Sequence, residues 1–242
     1  MSKTFALAFS LLLMGSFACA PRATKAPAPD PQSLYSKAVE AFNLGRYTKA
    51  KELFSKFVSY FPEERELVAL AELRIADCAL MRKDYPEARE RYLEFLRRYP
   101  FHPDVPYCEY QLAMTYFLQV KSKDRDQEST LRALERFEEL IRKYPDSVFA
   151  ERAKEKAAFC KRRLAEHELY VGRYYLRKKK YQAALRRFLA AWGYEGSGKE
   201  EEALYHIVLT YKKMGDGENA SKWLETLKDR FPKSKYLKEL GA

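Results

Sequence analysis

The chain is poor in glycine, histidine and cysteine. Nine glycines among 242 residues are few for a turn-rich all-β protein and argue against a Gly-loop nucleotide fold. Three histidines and four cysteines leave little material for a metal cluster. The apolar run at the start, from Phe5 to Phe17, falls short of the roughly 20 residues that span a bilayer. No RNP, helix-turn-helix or zinc motif accompanies the basic balance, so the 14% aromatic content does not point to nucleic acid. What is present is enough to build a core, with 47% hydrophobic and 33% charged residues. The formal charge of +11 is uneven. From 31 to 146 there are 20 Lys/Arg and 20 Asp/Glu; from 147 to 242 there are 22 and 13. Such a basic half reads either as a solvated helical surface or as a docking face for an acidic protein or anionic lipid.

The first residues have the length and flanks of a secretory signal, with Lys3 the one charge before Arg22. Two endings compete. Ala18-Cys19-Ala20 is an A-x-A pattern, but cleavage after Ala20 meets Pro21. Ser16-Phe17-Ala18-Cys19 is a lipoprotein pattern, cut before Cys19, with Ser16 where Leu is usual. The second is preferred, because it accounts for Cys19. The expectation is a signal peptide over 1–18 and a lipidated Cys19 opening a tether over 19–33. Four prolines within 20–33 make that tether extended and semi-rigid.

After Ser33 the sequence repeats. Tyr47-x-x-Ala50-x-x-x-Phe54-x-x-Phe57 recurs as Tyr85, Ala88, Tyr92 and Phe95. It returns around Ala133, Phe137 and Leu140, around Tyr181, Ala184, Phe188 and Ala191, and around Ala220, Leu224 and Leu227. Aromatic-Pro pairs close most units. The small Ala lets two helices approach, and the large residues four and seven later share its stripe and fill the interface. This is the second helix of a tetratricopeptide unit. The predicted fold is an all-α, right-handed superhelical solenoid of about five tetratricopeptide helix pairs. Two intervals break the period. A polar insert, KSKDRDQES, falls between Val120 and Thr130. The stretch from Ser147 to Lys178 has no proline and only Gly172, which predicts one long fused helix between units three and four. Repeats one to three would occupy 34–146 and repeats four and five 147–242.

Residues outside the repeat carry a further likeness. His102-Pro103-Asp104-x-x-Tyr107-x-x-Tyr110 resembles the HP(N/D)-x-x-Y-x-x-Y segment of the BamD (ComL-like) family of outer-membrane lipoproteins. Asp124-Arg125-Asp126 resembles its DRD insert. The run Arg163 to His167, with Val171 and Tyr174-Tyr175, resembles its long helix. Ala113 stands where that family often has Gly, and Arg186-Arg187 where it often has Asn-Arg. The resemblance implies a lipid-anchored protein on the periplasmic face of the outer membrane, working in β-barrel assembly. Its implied partners are a BamA-type barrel protein, unfolded outer-membrane proteins and accessory lipoproteins, and it implies no cofactor. The alternative is a tetratricopeptide lipoprotein that scaffolds cell-envelope remodelling or pilus assembly.

Carrying the tetratricopeptide register across places Tyr35, Phe42, Leu70, Leu73, Leu80, Met81, Tyr107, Tyr110, Met114 and Phe117 on the inner surface. These residues are at once candidate core and a lining suited to an extended peptide with alternating aromatic side chains. The terminal strand of a barrel is such a peptide, and family resemblance implies that these repeats receive it. It likewise implies that Arg177, Arg186 and Arg187 meet acidic residues of the barrel partner, where Arg offers a forked hydrogen-bond geometry. Catalysis and metal binding are not expected. His102 reads as a helix-entry residue, and His167 and His206 lie on other elements. Arg125 is expected to staple the insert through Asp124 and Asp126. Cys78, Cys108 and Cys160 fall among apolar residues, as buried free thiols or with one disulfide among them.

Overall fold

The computed structural model describes residues 30–241, all helices and turns. The signal peptide, Cys19 and the tether as far as Pro29 lie outside the described residues. The expected end of the tether is corrected: Pro31 to Ser33 already belong to the first helix, because proline is tolerated in a first turn and the Asp30 carboxylate caps it by accepting from Ser33 N at 2.9 Å. Eleven helices follow in order: α1 Pro31–Asn43, α2 Tyr47–Tyr60, α3 Arg65–Met81, α4 Tyr85–Arg98, α5 Val105–Phe117, α6 Glu128–Lys143, α7 Val148–Arg177, α8 Tyr181–Trp192, α9 Glu200–Met214, α10 Gly217–Arg230 and α11 Lys235–Leu240. Each packs on the next from α1 to α10, which is the stacking of a tetratricopeptide solenoid. No described helix is long and apolar enough to cross a membrane.

The repeat residues do what their spacing requires. Ala50, Phe54, Phe57, Ala88, Tyr92, Phe95, Ala133, Phe137, Ala184 and Phe188 are fully or almost fully buried. Turns inside four of the pairs share one design. A left-handed residue closes each first helix, just after the cap at Gly45 (φ 71°), Lys83 (62°) and Lys179 (57°) and at the cap itself at Gly215 (77°). The next amide then reaches back to the last helical turn, as in Arg46 N to Ala41 O and Asp84 N to Ala79 O, both 2.9 Å. Between units, Phe61, Tyr99, Tyr144 and Phe231 leave the helix with φ between −127° and −136°. Each precedes a proline, whose ring disfavours the helical conformation there.

The long fused helix is α7, 30 residues capped by the Ser147 hydroxyl on Phe149 N at 3.2 Å. It packs against α5 and α6 and then against α8. Gly172 permits the second contact: a Cβ there would sit 2.7 Å from Phe188 Cδ1. The polar insert is the loop between α5 and α6. Its staple differs from the expected one. Arg125 forms no ion pair with Asp124 or Asp126. Instead Gln127 Nε2 donates to the carbonyls of Ser122 and Arg125, both at 2.8 Å, and Gln127 Oε1 accepts from the buried Thr130 hydroxyl. A neutral amide suits this buried position, since it satisfies two carbonyls without bringing in a charge. His167 on α7 meets the Lys123 carbonyl at 2.7 Å and ties the insert to the long helix. The short α11 against α9 was not expected; six residues carry too little pattern to announce a helix.

Candidate functional site: an aromatic face on the first helices and a basic patch at the α7–α8 turn

The first helices of neighbouring units touch one another, α3 with α5 and α5 with α7. The aromatic rings fall into two packed groups, one of α1 against α2 and one of α5 against α6 and α7, while α3 between them carries no aromatic residue. Tyr35 lies edge-on to Phe54 and Phe57 at 5.6 and 5.3 Å between centroids. Tyr107 packs edge-on to Phe149 at 5.4 Å, and Tyr110 bridges Phe149 and Phe137 at 5.8 Å each. Phe117 meets Phe137 at 5.9 Å and Phe159 at 5.3 Å.

The expected groove residues divide. Tyr35, Phe42, Tyr107, Tyr110, Met114 and Phe117 are half-buried, and Met81 is half-exposed at the end of α3. Leu73 and Leu80 are not available to a ligand. They are 3% and 8% exposed, sealed in the core that α3 builds with α4 and α5. The physical reason is that α3 is covered on more than one side, so its apolar residues serve packing around most of its circumference.

Two features of this face have no clear mark in the sequence. Cations stand over the rings along this face: Arg74 over Phe42 at 5.7 Å, Arg152 over Phe149 at 5.6 Å, Lys156 over Phe117 at 5.1 Å and Arg163 over Phe159 at 5.6 Å. Such pairs are electrostatically favourable, and they leave a positive edge beside each ring. The signal was the basic residues at helical spacing on α7, which read as part of a general basic field. The second feature is Asp77, 3% exposed on α3. Its Oδ1 accepts from the hydroxyls of Tyr92 at 2.7 Å and Tyr107 at 2.9 Å, and its Oδ2 accepts from Arg74 Nη1 at 2.9 Å. Burial raises the Asp77 pKa, while the Tyr92 hydroxyl, the Arg74 charge and the Tyr107 hydroxyl pull it back. Burial and the neighbouring Asp77 charge both push the Tyr107 hydroxyl well up, so it stays a donor.

On the C-terminal side, Arg177, Arg186 and Arg187 are exposed. Arg187 Nη1 donates to both carboxylate oxygens of Glu168 on α7, at 3.2 and 3.1 Å. Arg186 and Arg187 line a cleft with Tyr175, Ala183 and Ala190. Lys178, Lys179 and Lys180 extend the exposed basic surface. None of the described Cys, His, Asp or Glu residues group as metal ligands. His206 stacks on Phe188 at 4.7 Å, and burial with the nearby Arg173 charge lowers its pKa to about 4. Cys78, Cys108 and Cys160 are buried free thiols, and burial pushes Cys78 and Cys160 up to about 12. They are inert packing groups.

The family model for YfiO, an outer membrane lipoprotein, matches residues 27–222. The chain belongs to the YfiO outer membrane lipoprotein family. It is 30% identical over 205 residues to the outer membrane protein assembly factor BamD of Rickettsia prowazekii, covering 84% of this chain and 81% of that one. It is 28% identical over 217 residues to BamD of Neisseria meningitidis serogroup A, with 85% and 81% covered. Among solved structures it aligns with YrrB, a tetratricopeptide protein with an unusual peptide-binding site, over 88% of this chain and 92% of that one. The TM-score there is 0.39 at 16% identity.

Proposed function

We propose that the chain is a non-enzymatic scaffold, lipid-anchored at Cys19 on the periplasmic face of the outer membrane. As a member of its family it is an outer membrane protein assembly factor. The first-helix face of repeats one to three receives the terminal strand of unfolded β-barrel substrates. Repeats four and five, through Arg177, Arg186 and Arg187, dock the periplasmic region of a BamA-type barrel protein.

The observation that carries this reading is the separation of two surfaces on one rigid stack. Aromatic side chains stand on α1, α5 and α7, and exposed arginines gather at the other end of α7 and on α8. An extended strand alternates its side chains, so every second ring can settle on the aromatic face. Arg187 is already aligned by Glu168, which leaves its outer edge free for a partner carboxylate. Burying such a pair in an interface makes the loss of one partner costly. Arg187→Glu is therefore expected to weaken binding of the partner's periplasmic domains by about 2 kcal/mol or more. Unchanged affinity in a titration would sink the docking assignment.

A further inference from the structure

We propose that the lysine-rich tip at the α7–α8 turn rests on an anionic bilayer surface. The inference goes beyond the anchor at Cys19 and the arginine docking face, and requires neither of them.

The length of α7 makes the tip. Its first half packs with α5 and α6 through Ala153, Ala157, Cys160 and Leu164. The contact of His167 with the Lys123 carbonyl marks where that company ends. Ten residues remain before the Lys178 cap, about 15 Å of helix. They pack on α8 through Leu169 and Gly172 and carry the turn past the ends of α5 and α6.

The charge at this tip is of one sign and has no counterpart. Between Glu168 and Glu195 the chain has seven Lys or Arg and no acid. Lys178, Lys179, Lys180 and Lys213 are exposed, and none forms an ion pair among the described residues. Other cations of the same helices are paired, Arg173 with Glu202 and Arg187 with Glu168. Lys179, Lys180 and Lys213 line an open cleft of about 590 Å³ together with Arg186 and no acid. Asp216, in the neighbouring α9–α10 turn, is occupied by Asn219, whose backbone N and Nδ2 donate to it at 3.1 and 2.8 Å.

The chemistry fits a lipid surface better than an acidic protein. The cations of the turn itself are lysines, compact hydrated charges that suit a diffuse layer of headgroup phosphates, whereas a protein carboxylate is matched by the fork of arginine. Tyr170 and Tyr174 are exposed on the projecting length of α7, and such tyrosines settle at the depth of the headgroups. Lys179 keeps its charge at φ 57°, a conformation that glycine would adopt more easily.

The test reconstitutes the full chain, purified in mild detergent, into vesicles of phosphatidylcholine alone and of phosphatidylcholine mixed with phosphatidylglycerol. A membrane-impermeant acetylating reagent labels accessible amines, which are read by peptide mass spectrometry. Labelling of Lys178, Lys179, Lys180 and Lys213 is expected to fall about threefold or more in the anionic vesicles relative to the neutral ones, and to return at high salt. The exposed Lys37 and Lys49 serve as references whose labelling does not change. Equal labelling of the tip in the two kinds of vesicle overturns the inference. So does protection already present in detergent, which a tightly held acidic protein would give. If neutral vesicles do not float the chain, the anchor reading fails by itself. The inference then requires anionic vesicles to float the chain about tenfold better than its Lys178→Gln, Lys179→Gln, Lys180→Gln triple variant, and equal flotation of the two overturns it.

Discussion

The Tyr107 hydroxyl on α5 donates to Asp77 on α3 at 2.9 Å, joining two repeats through a carboxylate that is 3% exposed. The same oxygen takes the Tyr92 hydroxyl from α4. One acidic residue thus ties together three helices and orients Arg74 on the ligand face. Asp77→Ala would leave a fully buried tyrosine hydroxyl without a partner. Its expected cost is on the order of 3 kcal/mol, read as a shift of the denaturation midpoint. Asp77→Asn keeps an acceptor and should cost less. A change below about 1 kcal/mol in the Ala variant would show that water replaces the carboxylate.

Gly172 is a packing residue. Any Cβ enters the Phe188 ring, so Gly172→Leu should separate α7 from α8 or force Phe188 off its rotamer. The expected loss is at least about 1–3 kcal/mol. The double variant Gly172→Leu with Phe188→Ala should recover part of it, seen as a partial return of the melting temperature.

The left-handed turns predict a gain. Lys83 and Lys179 adopt φ of 62° and 57°, the conformation that glycine supplies at Gly45 and Gly215. Lys83→Gly and Lys179→Gly should each stabilise the fold by up to about 1 kcal/mol where relief of strain exceeds the added freedom of the unfolded chain. Thermal melts of the two variants check this, and a loss in both would refute the strain.

His206 predicts an acid response. Its pKa falls from the usual 6.5 to about 4 in the fold, so between those values the unfolded chain binds more protons. The neutral, stacked His206 therefore contributes fully above about pH 6.5, and that stability is lost as pH falls towards 4. The difference in stability between wild type and His206→Phe should narrow or reverse by as much as about 3 kcal/mol over that window. A pH-independent difference would contradict the burial effect.

Much of the fold could be read from particular residues. Ala50, Phe54 and Phe57 with their counterparts announced the helix pairs because a buried stripe must recur at helical spacing. The proline-free stretch after Ser147 announced α7. The ligand face was harder. Periodicity tells which residues share a helix side, but α3 has several covered sides, so Leu73 and Leu80 look the same as a lining residue until the neighbours are placed. Asp77 was unreadable for the opposite reason. A lone acid among apolar residues signals nothing until Tyr92, Tyr107 and Arg74 converge on it from 15 and 30 positions ahead and three behind. The insert misled through its motif: Arg125 between two acids suggested a charge staple, while Gln127 beside it had the reach to bond the loop carbonyls.

The role of the protein is defined by what it holds in its native membrane. A mild-detergent pull-down of the full chain, with mass identification of partners, tests this most directly. Recovery of a β-barrel protein with periplasmic repeat domains, diminished by Arg187→Glu, is the predicted result. Recovery of cell-wall or pilus-assembly proteins without any such barrel protein would contradict it.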